Sequence, residues 1–244
     1  MPLPITQSLP EGPGFAHVDP AQRLPLANVT MLAVEDSRFA SEALRLLCQR
    51  SGARLRRVET LAAARRHLAV YRPDVVLVDL GLPDGNGLDL IRDLTRPGAL
   101  DALVLAISGD PGQWSAAVRA GAAGFIEKPL ETLAEFQQII LSHLKVQPRS
   151  PLPEEGAPIR PDRQALRDDL IHAASLIEEG GVGAKTYVAD FVQGLARSSH
   201  DPDLQGAAVA ARLSPDGMDG LSRLLALRIS RTQDPFAVAK SQKA

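Results

Sequence analysis

The run Val75-Val76-Leu77-Val78 constrains this chain more than any other stretch. Four apolar residues, three of them β-branched, stand in a row. Such a run reads as a strand buried on both faces, which requires a layer above and a layer below the sheet that holds it. The strand ends on Asp79, and Leu80-Gly81-Leu82-Pro83-Asp84-Gly85-Asn86-Gly87 follows at once as a loop. In an open parallel sheet, ligands bind beyond the carboxyl ends of the strands. Asp79 is therefore expected at the mouth of a site.

The same theme recurs on either side. Val29 to Val34 reads as a strand ending in Glu35-Asp36, then a helix carries Phe39, Ala43, Leu44, Leu47 and Cys48 on one face, with Gly52 as its stop. Leu55 to Val58 is a short strand. Thr60 caps a helix with Leu61, Ala64 and Leu68, which Pro73 keeps from continuing. Beyond the central strand, Leu88, Ile91 and Leu94 mark a helix closed by Pro97-Gly98. Leu103 to Ile107 is a strand with the exit loop Ser108-Gly109-Asp110. Trp114 to Ala120 is a short helix ended by Gly121. Gly124 to Ile126 leads to Glu127-Lys128-Pro129, and Leu130, Leu133, Phe136, Ile140 and Leu144 face a last helix inward. Five strand–helix alternations imply an α/β domain: a parallel sheet covered on both faces through right-handed crossovers.

The flanks differ. Residues 1–27, with four prolines among the first thirteen, read as a flexible arm. Gln147 to Pro161 contains five prolines and reads as a linker. From Asp162 the strand signal stops. Leu166, Leu170, Ala173 and Ile177 recur at helical spacing until Gly180-Gly181; Tyr187, Val188, Phe191, Val192 and Leu195 mark a second helix. Ala207 to Leu213 and Met218 to Ile229 suggest two more, separated by Ser214-Pro215-Asp216-Gly217. Residues 162–232 are thus expected as a small all-α region and 233–244 as a flexible tail.

Composition sets outer limits. A formal net charge of -2 gives no case for a general nucleic-acid or membrane surface. The single cysteine, Cys48, excludes an internal disulfide and fits a reducing compartment. Met1 to Pro20 lacks the basic start and apolar run of a signal peptide, and no stretch approaches the roughly 18 apolar residues of a membrane span. A cytoplasmic protein is expected.

Four strand ends place Glu35, Asp36, Asp79, Ser108 and Lys128 on one edge of the sheet. Three carboxylates brought together repel one another and need a cation or protons. Oxygen ligands without His or Cys suit Mg²⁺ better than zinc. Lys128 supplies a compact positive charge and Ser108 a hydroxyl, and together they are suited to the oxygens of a phosphoryl group on Asp79. Carboxylates act as nucleophiles when aspartyl phosphates form, which is the role expected of Asp79. Lys128 precedes Pro129, a bond whose cis form costs little. Each residue alone has a plainer reading: Glu35 and Asp36 as helix caps, Ser108 as a turn residue, Lys128 as surface charge.

In combination they resemble the receiver domain of two-component response regulators over roughly Val29 to Val146. The marks are Glu35-Asp36, the Asp79-Leu80-Gly81-Leu82-Pro83 run with Gly87, Ser108-Gly109 and Lys128-Pro129, in the family's order and spacing. The resemblance implies a five-stranded flavodoxin-like fold and a phosphoryl group passed to Asp79 from a histidine kinase or phosphotransfer protein. It implies that Glu35, Asp36, Asp79 and the Gly81 carbonyl bind Mg²⁺. It makes Ser108 the switch hydroxyl, Lys128 the phosphate partner and Phe125 the aromatic switch residue. Trp114 and Phe136 are expected on or near the face that changes with Phe125, Trp114 being equally placed to pack on the sheet. Apart from the phosphoacceptor's own catalysis, no enzymatic output is expected.

The helical region leaves three outputs open: an interaction or homodimerisation module, a DNA-binding helix-turn-helix, or a histidine phosphotransfer bundle using His172 or His200. Residues 162–244 carry eleven acids against ten bases and no basic stripe, whereas DNA binding needs phosphate neutralisation. His172 lacks the Lys and Gly that follow the phosphotransfer histidine. The interaction module is the reading carried forward.

Overall fold

The computed structural model describes residues 24–130, 132–144, 159–180 and 184–232. The first half runs β1 (Thr30–Val34), α1 (Arg38–Ser51), β2 (Arg54–Val58), α2 (Leu61–Val70), β3 (Val75–Asp79), two short arms β4 (Gly81–Leu82) and β5 (Gly85–Asn86), α3 (Gly87–Leu94), β6 (Leu103–Ser108), α4 (Trp114–Ala120), β7 (Gly124–Glu127) and α5 (Leu133–Leu144). The main sheet has the order β2-β1-β3-β6-β7 with every neighbouring pair parallel. Counting only these strands, that is the 2-1-3-4-5 order of a doubly wound flavodoxin-like fold.

The period of two along a strand divides its side chains between two cores. Val75 and Leu77 join Met31, Ala33, Leu105, Ile126, Phe136 and Ile140 on the α1/α5 side. Val76 and Val78 join Leu32, Val34, Leu90, Ile91 and Ala106 on the α2/α3/α4 side. All five residues of β3 are buried, and each buried Val or Leu side chain contributes about 1.5–3 kcal/mol. The caps follow the sequence. Gly52 ends α1 at φ 84°, the Thr60 hydroxyl accepts from Ala63 N–H at the start of α2, and Gly121 ends α4.

The second half is a four-helix bundle: α6 (Arg163–Glu179), α7 (Ala184–Ser198), α8 (Pro202–Leu213) and α9 (Pro215–Thr232). Each helix packs on two others, α6 on α7 and α9, α8 on α7 and α9. Leu170, Ala173, Val188, Val192, Leu195, Leu204, Ala208, Leu221 and Leu225 fill its centre. The expected turn at Ser214–Gly217 contracts to Ser214, and α9 starts at Pro215. Gly217 permits this: a Cβ there would lie 2.2 Å from the Ala210 carbonyl oxygen.

Some expectations change. The arm expected over 1–27 gives way to an ordered turn by Leu24: Leu26 is fully buried in the α1/α5 core and its N–H donates to Ser51 O at 2.8 Å. Most of the arm, most of the linker and the expected tail lie outside the described residues, but Ile159 packs against the α1/α5 core. Phe136 is buried in that core, in keeping with the inward apolar face of the last helix, and Trp114 is 55% exposed rather than packed on the sheet. Phe39 is buried, but in the core of the bundle. Cys48 lies on the buried face of α1, where burial pushes its thiol up to about 12. Among the described residues no helix is long and apolar enough to cross a membrane.

Candidate functional site

The carboxyl ends of β1, β3, β6 and β7 meet at one mouth of the sheet. β3 delivers Asp79, whose Oδ1 accepts the Gly81 N–H at 3.1 Å and whose Oδ2 lies 2.7 Å from Lys128 Nζ. The same ammonium reaches Glu35 Oε2 at 2.6 Å, while Ser37 N–H donates to Glu35 Oε1 at 3.2 Å. The turn after β1 is fixed from behind by Arg57, which donates from Nε to the Glu35 carbonyl and from Nη2 to the Asp36 carbonyl. On the far side, Lys128 N–H donates to the Ser108 carbonyl and joins the ends of β6 and β7; the Lys128–Pro129 peptide is cis. Gly87 lets α3 start against the strand end, since a Cβ there would fall 2.1 Å from the Asp79 carbonyl oxygen.

Glu35, Asp36 and Asp79 each offer an oxygen within 4.8 Å of the others. Burial holds the Glu35 carboxyl well above its usual range; Lys128 opposes this, and Asp79 and Asp36 add to it. Burial likewise raises Asp36 to about 6, with the Asp79 charge adding and a hydrogen bond from Tyr187 opposing. Burial works against the Lys128 ammonium, but Asp79 and Glu35 outweigh it and raise its pKa. One ammonium thus faces three carboxylates, and a hard divalent ion with oxygen preference fits the remaining deficit.

The structure brings together five of the residues singled out from the sequence. Glu35, Asp36, Asp79, Ser108 and Lys128 line one cavity of about 650 Å³ with Gly81. The Ser108 hydroxyl accepts the Asp110 N–H at 3.1 Å, so it is held on its own loop; Asp110 in turn accepts from Gly112 N–H and caps the turn before α4. Phe125 stands apart, half-buried against the α2/α3/α4 core. His172 is exposed on α6 with its ring edge-on to Phe191, and His200 occupies the turn before α8.

The opposite wall of the cavity comes from the bundle, which the sequence did not announce. Tyr187, on α7, donates its hydroxyl to Asp36 Oδ2. Asp169, on α6, caps α1: its oxygens accept from Ser37 Oγ at 2.7 Å, Arg38 N–H at 2.9 Å and Phe39 N–H at 3.0 Å. One signal existed. Asp169 sits three residues after Leu166 and four before Ala173, on the apolar stripe, where an acid needs a partner. Tyr187 likewise stood on an apolar face with a hydroxyl to satisfy.

The chain is similar to known proteins over its first half and, for some relatives, beyond it. The response regulator receiver domain family matches residues 31–140. The KDP operon transcriptional regulatory protein KdpE of Escherichia coli is 36% identical over 99 residues, covering 41% of this chain and 44% of that protein. A protein-glutamate methylesterase/protein-glutamine glutaminase of Cereibacter sphaeroides is 30% identical over 207 residues, 79% of this chain and 56% of the relative. A solved receiver domain from Methylobacillus flagellatus is 27% identical, covers 47% of this chain and 98% of its own, and superposes with a TM-score of 0.43. The chain spans about half the length of these two curated relatives. Its residues 31–140 belong to the response regulator receiver domain family.

Proposed function

We propose that Asp79 is the phosphoacceptor of a two-component response regulator, charged by a histidine kinase or phosphotransfer protein in the cytoplasm. The observation that carries this is the Asp79 carboxylate held between the Gly81 amide and the Lys128 ammonium, beside two further carboxylates. Glu35, Asp36, Asp79 and the Gly81 carbonyl would hold Mg²⁺. Bound there, the ion supplies neutralisation of charge on the phosphoryl oxygens.

In the transfer, an Asp79 oxygen forms the bond to phosphorus, the phosphorus–nitrogen bond of a phosphohistidine breaks, and the imidazole leaves with its electron pair and takes a proton. Lys128 already touches Asp79 Oδ2 and keeps its charge, so it holds a phosphoryl oxygen without moving far. Ser108 exchanges the Asp110 amide for the phosphoryl group, and Phe125 follows into the space left behind. Phosphorylation then shifts the population between two arrangements.

The bundle serves as an interaction or homodimerisation module in this reading, without an enzymatic activity of its own. The likeness to KdpE favours a DNA-binding output, but it spans only 99 residues, and residues 162–244 carry no basic excess. The likeness to the methylesterase extends beyond the receiver and favours an enzymatic output; the described residues after Asp162 form helices alone. A phosphotransfer bundle would need His172 or His200 to accept phosphate.

The test is incubation with acetyl phosphate and Mg²⁺ followed by intact-mass measurement. One phosphoryl group, lost in hydroxylamine and never gained by Asp79→Asn, is the expected result. A parent protein that stays unmodified while a known receiver is labelled overturns the proposal.

A further inference from the structure

The cavity above Asp79 is walled on one side by strand ends and on the other by α7, through Tyr187, Gly194 and Arg197. Side chains of α1, α6 and α7 seat the bundle there. Tyr187 bonds to Asp36, Asp169 caps α1, and Phe39 of α1 is buried in the core of the bundle. The loop after β6 also touches α7: a Cβ on Gly109 would lie 3.8 Å from Gly194 Cα and 3.7 Å from Arg197 Nη1. Gly109 is next to Ser108, so the guanidinium borders the loop that carries the hydroxyl.

Two cations of the bundle line this cavity, Arg197 on α7 and Arg212 on α8, and they differ. Arg212 is paired with Asp190 at 2.7 Å. Arg197 has no carboxylate partner among the described residues. A divalent ion together with Lys128 balances the three carboxylates of the mouth. Converting the Asp79 carboxylate into an acyl phosphate adds about one further negative charge and new acceptor oxygens. A guanidinium offers a fork of donors suited to such oxygens.

We infer that α7 reads the phosphoryl group on Asp79 directly, with Arg197 as its cation, so that phosphorylation tightens the bundle on the receiver. This rests on the reading of Asp79 as phosphoacceptor. The docked arrangement has room for it: the three carboxylates stay within 4.8 Å with the Tyr187 bond made, and the 650 Å³ cavity admits a small donor. A protein donor must first displace α7 and then release it to close. Signal therefore passes across the mouth of the sheet as well as through Ser108 and Phe125.

The experiment is hydrogen exchange by mass spectrometry on the full chain with Mg²⁺, before and after acetyl phosphate. The amides followed are those of α7 and the first turn of α1. Phosphorylation is expected to slow their exchange about tenfold, the scale of one charge-assisted hydrogen bond. In Arg197→Gln the slowing disappears, and Arg197→Lys restores part of it. Faster exchange on phosphorylation, or full slowing in Arg197→Gln, overturns the inference. Intact mass on the same samples separates the two levels. Phosphate gained without slowing overturns this inference alone, whereas no phosphate gained overturns the acceptor reading and this inference together.

Discussion

Two groups of acids among the described residues are treated oppositely. At the mouth of the sheet, Glu35, Asp36 and Asp79 share one ammonium, and burial raises Glu35 and Asp36. At the start of α8, Asp201 and Asp203 share the Arg228 guanidinium, with Asp201 at 2.5 and 2.9 Å, and that pairing holds Asp201 below its usual range. Asp201 also caps α8 through the Leu204 N–H. In the second cluster the guanidinium is bonded to both acids and Asp203 is largely exposed to water, so the pairing stabilises the bundle. The first is short of positive charge, and it costs stability while no cation fills it. A buried group of like charges that the fold leaves unbalanced is suited to a ligand that supplies the balance.

The contrast can be broken at the α8 end first. Arg228→Met should leave Asp201 and Asp203 facing each other and cost about 1.5–3 kcal/mol, the worth of a charged hydrogen bond, read as a lower urea midpoint with unchanged slope. Labelling by acetyl phosphate should persist, because Arg228 lies outside the mouth of the sheet.

Magnesium sharpens the comparison from the other side. Added at about a hundred times its dissociation constant, it should stabilise the protein by about 2.7 kcal/mol, measured as a rise in melting temperature. The pH dependence should carry opposite signs in the two clusters. Asp36 rises from 3.8 to about 6 in the metal-free protein, so between those values the folded state binds more protons than the unfolded state. Stability from the mouth then falls as pH rises through that window, and Mg²⁺ should remove the fall. Asp201 is depressed, so its contribution is present above the ordinary aspartate value and is lost as pH falls through its folded pKa. Melting curves from about pH 3 to 7, with and without Mg²⁺, separate the two limbs.

The smallest effect is expected at Asp169, which belongs to neither cluster but joins the two halves. Its three accepted hydrogen bonds are partly offset by burial, which raises its carboxyl. Asp169→Ala should cost about 1–2 kcal/mol, the worth of a helix cap, again in urea unfolding. Hydrogen exchange should show the loss concentrated at the α1–α6 contact.

The receiver half was legible because its instructions are local and periodic. Val75 to Val78 could only be a two-sided strand, and Gly52, Thr60 and Gly121 stop or start helices through backbone properties that no distant residue alters. Strand ends converge by topology, so Glu35, Asp36, Asp79, Ser108 and Lys128 could be assembled from the sequence. The bundle was legible as four helices for the same reason, with its turn at Ser214 shorter than its Pro-Asp-Gly sequence suggests.

What lay beyond the sequence was contact between elements far apart in the chain. Phe39 has the spacing of a core residue in α1, and nothing local says that the core is the bundle's. Tyr187 and Asp169 looked like members of helical faces, and 151 and 132 positions separate them from the Asp36 and Ser37 they bond. Periodicity reports which face of a helix is apolar but carries no record of what will cover it. The sequence by itself determined the sheet, its mouth and the acids gathered there, because backbone geometry and alternation fix them. Only the tertiary structure decided that α7 closes over that mouth, because the energy of that docking lies in side chains that are far apart in the chain and meet only in the folded molecule.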